Sequence, residues 1–133
     1  MSAESVRVGV IGCGYWGPNL VRNFSALRES RMIAVADMDE ARLKHVADLF
    51  PAVRGTRNAE DLLADDGIDA VAIATPVATH FDLARRALER GKHVWVEKPL
   101  TRSVKEAASL VALAGKHRRV LMVDHTYLYS APV

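Results

Sequence analysis

Three glycines that directly follow an apolar run limit the possible folds of this chain more than any other feature. Residues 6–17 read VRVGVIGCGYWG, so Gly12, Gly14 and Gly17 form a GxGxxG pattern after a stretch rich in valine and isoleucine. Pro18 and a helical pattern come next. The glycines form either a tight turn that needs positive φ or a loop whose backbone must approach a phosphate group. The segments around the loop decide between these two interpretations.

Short apolar runs alternate with helical patterns along this chain of 133 residues, a length suited to one domain. Strands are predicted at residues 7–11, 32–36, 70–74, 93–96 and 120–123, with a weaker one at 52–55. These runs are mostly apolar throughout, as expected of strands covered on both faces. Asp39, Asn58 and Ser103 are predicted N-caps of the intervening helices. The sequence therefore predicts an α/β Rossmann fold, a doubly wound parallel sheet of strand order 3-2-1-4-5-6 that binds ligands at the carboxyl ends of its strands.

In this fold each position of the glycine motif has its own role. Gly12 permits the turn, Gly14 lets the backbone approach a pyrophosphate, and Gly17 lets the following helix pack close to the strand. The N–H groups of the first helical turn, near Tyr15 and Trp16, would point at the anion.

An acidic residue at the end of the second strand completes the dinucleotide-binding pattern. Asp37 lies 20 residues beyond Gly17. A carboxylate there accepts hydrogen bonds from the adenosine ribose hydroxyls and repels a 2′-phosphate, so NAD is favoured, with NADP less favoured because of Asp37. The alternative interpretation makes Asp37 a turn or capping residue, a role for which Asp39 competes.

Two further polar stretches follow predicted strands. Thr75-Pro76 comes after the fourth strand, with His80 four residues later, and Glu97-Lys98 comes after the fifth. Both lie where an open α/β sheet collects its ligands, so Lys98 is placed to reach a substrate. The alternative is that Glu97 and Lys98 form a surface ion pair that contributes little to stability.

Three stretches of the sequence, VGVIGCGYWGPN, VAIATPVATHFDLARRAL and GKHVWVEKPL, resemble in order and spacing the Gfo/Idh/MocA oxidoreductase family. The resemblance implies sugar or sugar-nucleotide substrates, NAD(P) in the strand-end crevice and a cis Lys98–Pro99 bond. It also implies which residues form the site. The pyrophosphate would be held by Gly12, Gly14, Tyr15, Trp16 and Gly17, and the adenosine ribose by Asp37. The nicotinamide half would be lined by Thr75, Pro76 and His80, with Glu97 at its ribose and Lys98 as the catalytic residue between nicotinamide and substrate. GYWGPNLVRNF and DHTYLYSAPV are similar to the branch that oxidises C3 of UDP-N-acetylhexosaminuronic acids.

The resemblance also implies a second α/β domain, which this sequence does not contain. Residues 1–125 are expected to form the NAD-binding Rossmann domain and residues 126–133 to begin the connection to the missing domain. The chain is then expected to bind NAD with little turnover alone, and the full-length form to be a homo-oligomer. An apolar patch around Tyr127, Leu128 and Tyr129 is expected to be exposed. Two alternatives remain open, which are a non-catalytic NAD-binding module that senses redox state or serves a partner, and an unrelated α/β ligand binder.

Composition narrows the remaining function classes. The formal net charge of +2 gives no reason to expect nucleic acid or an anionic membrane as a partner. Cys13 is the only cysteine and no histidine has metal-ligand spacing, so no metal site is predicted. The sequence shows neither a membrane-length apolar stretch nor the apolar segment of a signal peptide, so a cytoplasmic location is expected by default.

Overall fold

A parallel sheet forms the centre of the chain. The computed structural model describes residues 4–125. Within them, six strands pair in the order β3-β2-β1-β4-β5-β6, and every neighbouring pair is parallel. This confirms the predicted α/β class and the strand order 3-2-1-4-5-6. The strands are β1 Val6–Ile11, β2 Ser30–Ala36, β3 Arg54–Thr56, β4 Ala70–Ile73, β5 His93–Glu97 and β6 Leu121–Asp124.

Three of the helices begin at the side chains that the sequence marks as caps. Asp39 accepts hydrogen bonds from the backbone N–H groups of the first turn of α2, and Asn58 and Ser103 do the same for α3 and α5. Each cap satisfies an N–H group that has no partner within its helix. The helices are α1 Gly17–Ala26, α2 Glu40–Leu49, α3 Ala59–Leu63, α4 His80–Glu89 and α5 Val104–His117, with a 3-10 turn at Val77–Thr79.

Apolar side chains fill the space on both faces of the sheet. On one face, Val10 and Val35 pack with Val21 of α1 and Val46 of α2. On the other face, the strands pack against α3, α4 and α5 through a larger set of buried residues: Ile11, Leu62, Leu63, Val71, Ile73, Leu83, Leu88, Val94, Val96 and Leu110. After β1 the chain continues into a helix on one face of the sheet, and after the neighbouring strand β4 it continues into a helix on the other face. A crevice therefore opens between the carboxyl ends of β1 and β4.

All six strands differ from their predicted bounds by one or two residues, and two of these differences have an evident cause. The edge strand β3 covers residues 54–56 instead of 52–55, because its pairing to β2 is set by backbone contacts and its short sequence RGT carries no apolar signal. Strand β6 begins at Leu121 instead of residue 120. The N–H of Val120 donates to Nδ1 of His93 at 2.9 Å, so it makes no ladder hydrogen bond.

Residues 126–133, including the predicted apolar patch at Tyr127, Leu128 and Tyr129, lie outside the described residues. Within residues 4–125, no helix is both long and apolar enough to cross a membrane.

Candidate functional site

A cavity of about 760 Å³ opens at the carboxyl ends of β1, β2 and β4. It brings together five of the residues that the sequence predicts for a cofactor, namely Gly12, Gly14, Asp37, Thr75 and Pro76. These residues lie as far apart as 64 positions in the sequence, and the parallel strand order places them at one edge of the sheet.

Two of the three motif glycines are required by the protein itself. Gly12 has a φ of +100°, and a Cβ atom there would lie 2.6 Å from the carbonyl oxygen of Ala74, the residue that follows β4. A Cβ atom at Gly17 would lie 2.2 Å from the carbonyl oxygen of Gly12. Gly12 therefore makes the turn and Gly17 allows α1 to begin directly against the end of β1, which are the roles expected from the sequence.

Gly14 has no such requirement. A Cβ atom there would meet its nearest neighbour, Nη1 of Arg42, at 3.5 Å, an ordinary contact, and the φ of Gly14 lies outside the left-handed region. The atoms of the chain therefore do not explain a glycine at this position. Gly14 lines the cavity, and the absence of a side chain there would let a ligand come close to the backbone.

The first turn of α1 offers a favourable environment for an anion beside Gly14. The N-cap Trp16 makes no side-chain hydrogen bond to the helix, and the first turn contains no acidic side chain. Pro18 stands in this turn, where its missing N–H removes no helical bond. The N-terminal N–H groups and the helix dipole together favour a phosphate group here.

Asp37 connects the end of β2 to the glycine loop. Its Oδ2 accepts a hydrogen bond from the N–H of Cys13 at 2.7 Å, and its Oδ1 accepts one from the N–H of Asp39 at 2.8 Å. Nη1 of Arg42 lies 3.9 Å from Oδ2. Asp39, and not Asp37, caps α2. A carboxylate accepts more than one hydrogen bond at each oxygen, so these contacts leave acceptor capacity toward the cavity.

Cys13 is a packed structural residue of the same loop. Its side chain is buried in the core cluster that contains Val10 and Val21. Burial, and then the nearby charge of Asp37, raise the pKa of the thiol to about 12. The thiol therefore stays protonated at neutral pH and is not a nucleophile here.

His80 is buried, with 1% of its surface exposed. It is one of six predicted cofactor residues that are not among those lining the cavity, together with Tyr15, Trp16, Gly17, Glu97 and Lys98. Its Nε2 lies 2.8 Å from the carbonyl oxygen of Thr75, and its Nδ1 lies 2.8 Å from the carbonyl oxygen of Pro99. The ring therefore bridges the turns that follow β4 and β5.

Glu97 and Lys98 lie at the carboxyl end of β5, next to the cavity-lining strands in the sheet. The side chain of Lys98 is exposed, whereas Glu97 is half-buried opposite Asp124 of β6. Burial, a hydrogen bond with Asp124 and the charge of Asp124 raise the pKa of Glu97 above its usual range. The Lys98–Pro99 peptide bond is cis, as expected from the family resemblance.

Arg42 and Arg57 line the same cavity, although they were not predicted. Arg42 lies in the first turn of α2. Because the start of this helix just after the second strand is predictable from its cap, the position of Arg42 near the strand end could have been inferred from the sequence. Arg57 follows β3, so the rule that ligands collect at strand ends would have found it if the strand had been placed at residues 54–56. Among residues 4–125, no group of three His, Cys, Asp or Glu side chains is placed to hold a metal ion.

Residues 6–125 match the model of an oxidoreductase family described as Gfo/Idh/MocA, NAD-binding Rossmann fold. The chain is 35% identical over 125 residues to UDP-N-acetylglucosamine 3-dehydrogenase of Acidithiobacillus ferrooxidans, and the match covers 90% of this chain and 37% of the relative.

Two crystal structures are similar along most of this chain. GenD2 from gentamicin A biosynthesis, in complex with NAD, has a TM-score of 0.90 and 32% identity, and 97% of this chain and 37% of GenD2 are covered. KijD10, a 3-ketoreductase from Actinomadura kijaniata in complex with NADP and TDP-benzene, has a TM-score of 0.88 and 31% identity, and 95% of this chain and 39% of KijD10 are covered. The chain thus spans a little over a third of the length of these proteins.

Proposed function

The chain belongs to the Gfo/Idh/MocA oxidoreductase family as its NAD(P)-binding Rossmann domain, and we propose that it holds NAD for hydride transfer to or from a sugar or sugar-nucleotide hydroxyl. The glycine loop and the first turn of α1 would hold the pyrophosphate, and Asp37 the adenosine ribose. Thr75 and Pro76 would line the nicotinamide half, with Glu97 at its ribose. Bound NAD would supply the hydride acceptor.

The observation that carries this proposal is the open space at Gly14. A purely structural turn explains Gly12 and Gly17, because a side chain at either position collides with backbone. It does not explain Gly14, whose side-chain position is unobstructed and faces the cavity. A phosphate group approaching the backbone explains all three glycines together.

The preference for NAD over NADP is proposed from Asp37. Its carboxylate is fixed by two backbone N–H groups at the cavity wall, and a 2′-phosphate at the ribose would meet this negative charge. Asp37→Asn is expected to reduce the ratio of NADH to NADPH affinity at least tenfold, because the repulsion is removed while Arg42 remains beside the site. Fluorescence titration with each nucleotide measures the ratio.

Asp39→Asn is the matched control for that variant. It removes the same charge two residues away, and asparagine is also a good N-cap, so α2 should keep its first turn. The nucleotide preference of this control should equal that of the wild type. A wild-type chain that binds NADPH as tightly as NADH would contradict the assignment of Asp37.

Lys98 is proposed to take part in the proton transfer that accompanies hydride transfer. Its amino group is exposed at the end of β5, where a substrate next to the nicotinamide half would lie. A hydroxyl that is oxidised must lose its proton, and Lys98 in its neutral amine form would orient the hydroxyl and accept that proton as the hydride leaves to NAD.

Lys98→Ala is expected to lower kcat about 1000-fold while the Kd for NAD changes less than twofold, because a group that acts in proton transfer contributes roughly 10²- to 10⁴-fold to the rate. The measurement uses the chain fused to the remaining part of the UDP-N-acetylglucosamine 3-dehydrogenase relative, with UDP-N-acetylglucosamine as substrate. Lys105→Ala removes another exposed lysine, in the first turn of α5, and should leave kcat unchanged. Full activity of the Lys98→Ala fusion would contradict the assignment of Lys98, whereas a wild-type fusion that binds NAD without turnover would favour a non-catalytic NAD-binding module.

A further inference from the structure

The two turns that border the nicotinamide half are joined through one buried side chain. His80 is the first residue of α4, below the cavity wall, and its ring nitrogens contact the carbonyl oxygens of Thr75 and Pro99. Thr75 lines the cavity, and Pro99 directly follows Lys98. The ring therefore lies between a wall of the cofactor cavity and the segment that carries the proposed catalytic lysine.

We propose that His80 is a positioning residue that holds the turn after β5, and with it Lys98, in register with the cavity wall formed by the turn after β4. This inference rests on the proposed function, and it assigns His80 a role that acts through Thr75 and Pro99 and involves no contact with nucleotide. The family resemblance implies that His80 lines the nicotinamide half directly. Its burial and the contacts of both ring nitrogens with backbone carbonyl oxygens favour the indirect role.

The turn after β4 is already fixed by its own hydrogen bonds, which makes it a suitable anchor. The hydroxyl of Thr79 lies 2.7 Å from both the carbonyl oxygen of Pro76 and the hydroxyl of Thr75. The segment after β5 differs, because Lys98 and Pro99 are both exposed. With its proton on Nδ1, the buried ring of His80 donates a hydrogen bond to the Pro99 carbonyl and restricts this exposed segment. Small displacements of a catalytic group reduce reaction rates strongly, so such a restriction has functional value.

The two contacts of the ring can be separated by substitution. The side-chain amide nitrogen of asparagine reaches the region of histidine Nδ1, and that of glutamine reaches the region of Nε2. His80→Asn therefore places a donor at the Pro99 carbonyl and none at the Thr75 carbonyl. His80→Gln places a donor at the Thr75 carbonyl and none at the Pro99 carbonyl. Both variants keep a polar side chain in the buried site, so they form a matched pair.

The test compares NADH with ADP, which lacks the nicotinamide and its ribose, by isothermal titration of the 133-residue chain. His80→Gln is expected to raise the Kd for NADH about fivefold, because the segment that it releases begins at Glu97, the residue proposed at the nicotinamide ribose, and one weakened hydrogen bond corresponds to about this change. The Kd for ADP should stay within twofold of the wild type. His80→Asn should keep both values within twofold of the wild type. If His80 only stabilises the fold, His80→Gln would instead raise the Kd values of both ligands by the same factor.

A second measurement needs no ligand. The amide nitrogen of Leu100 shares a peptide unit with the Pro99 carbonyl, so its NMR resonance reports the hydrogen bond to that carbonyl. The Leu100 resonance is expected to move in His80→Gln and to stay near its wild-type position in His80→Asn. The proposal is overturned if His80→Gln keeps the wild-type Leu100 resonance, keeps the wild-type NADH affinity, or loses affinity for NADH and ADP equally. A wild-type chain that binds neither ligand would overturn the proposed function itself, which is a different result.

Discussion

Gly14→Ala is expected to weaken NADH binding at least tenfold without lowering the melting temperature. The methyl group would stand in open space on the protein side, with Arg42 as its nearest neighbour at 3.5 Å, and it would face the cavity. It would push a phosphate group away from the backbone and lengthen charge-assisted hydrogen bonds, which contribute about 1.5–3 kcal/mol each. A loss of about 1.4 kcal/mol already corresponds to a tenfold change in Kd.

The measurement pairs an NADH titration with thermal unfolding of the same sample. Gly115→Ala is the control, because a Cβ atom at Gly115 meets nothing within 4 Å and this glycine lies in α5, away from the cavity. Its NADH affinity should equal that of the wild type. If Gly14→Ala binds NADH as tightly as the wild type, the glycine loop does not hold a pyrophosphate.

Gly17→Ala is expected to have the largest effect on stability, a loss of about 3 kcal/mol in the free energy of unfolding, in the upper range for a side chain forced into a packed site. The new Cβ atom would lie 2.2 Å from the carbonyl oxygen of Gly12. This neighbour is backbone that is held in turn by the hydrogen bond from Gly12 N–H to Ala36 O at 2.8 Å, so it has little freedom to move. Helix α1 would have to shift away from the end of β1.

Urea unfolding followed by circular dichroism measures this loss, again with Gly115→Ala as the comparison. That control should be more stable than the wild type by about 0.5–1 kcal/mol, because alanine is the better residue within a helix. The opposite signs separate a collision from a change of helix propensity. A free energy of unfolding for Gly17→Ala within about 1 kcal/mol of the wild type would contradict the close packing of α1 on the glycine loop.

Local signals account for the parts of the fold that the sequence predicts well. The caps Asp39, Asn58 and Ser103 act on N–H groups two or three residues away, so their role is readable from the sequence. Buried parallel strands are apolar on both faces, which made β1 and β4 recognisable. The strand order then follows from the alternation of strands and helices and from the glycine motif.

The features that the sequence did not predict depend on contacts between distant segments. The bond from Cys13 N–H to Asp37 spans 24 positions, and the contact of His80 with Pro99 spans 19. No periodicity encodes such pairs, so the sequence does not show that the ring of His80 is buried between two turns. Arg57 was missed for a related reason, because the edge strand before it has no apolar pattern.

Titration of the wild-type chain with NADH, followed by energy transfer from tryptophan to the nicotinamide, tests the central claim most directly. Trp16 lies in the glycine loop and is 51% exposed, so a nucleotide bound there would accept energy from it and quench its emission. The proposed function predicts a saturable signal with one NADH per chain, reversed by added NAD. A folded chain that gives no saturable signal with NADH at millimolar concentration would contradict the claim that the site holds this nucleotide.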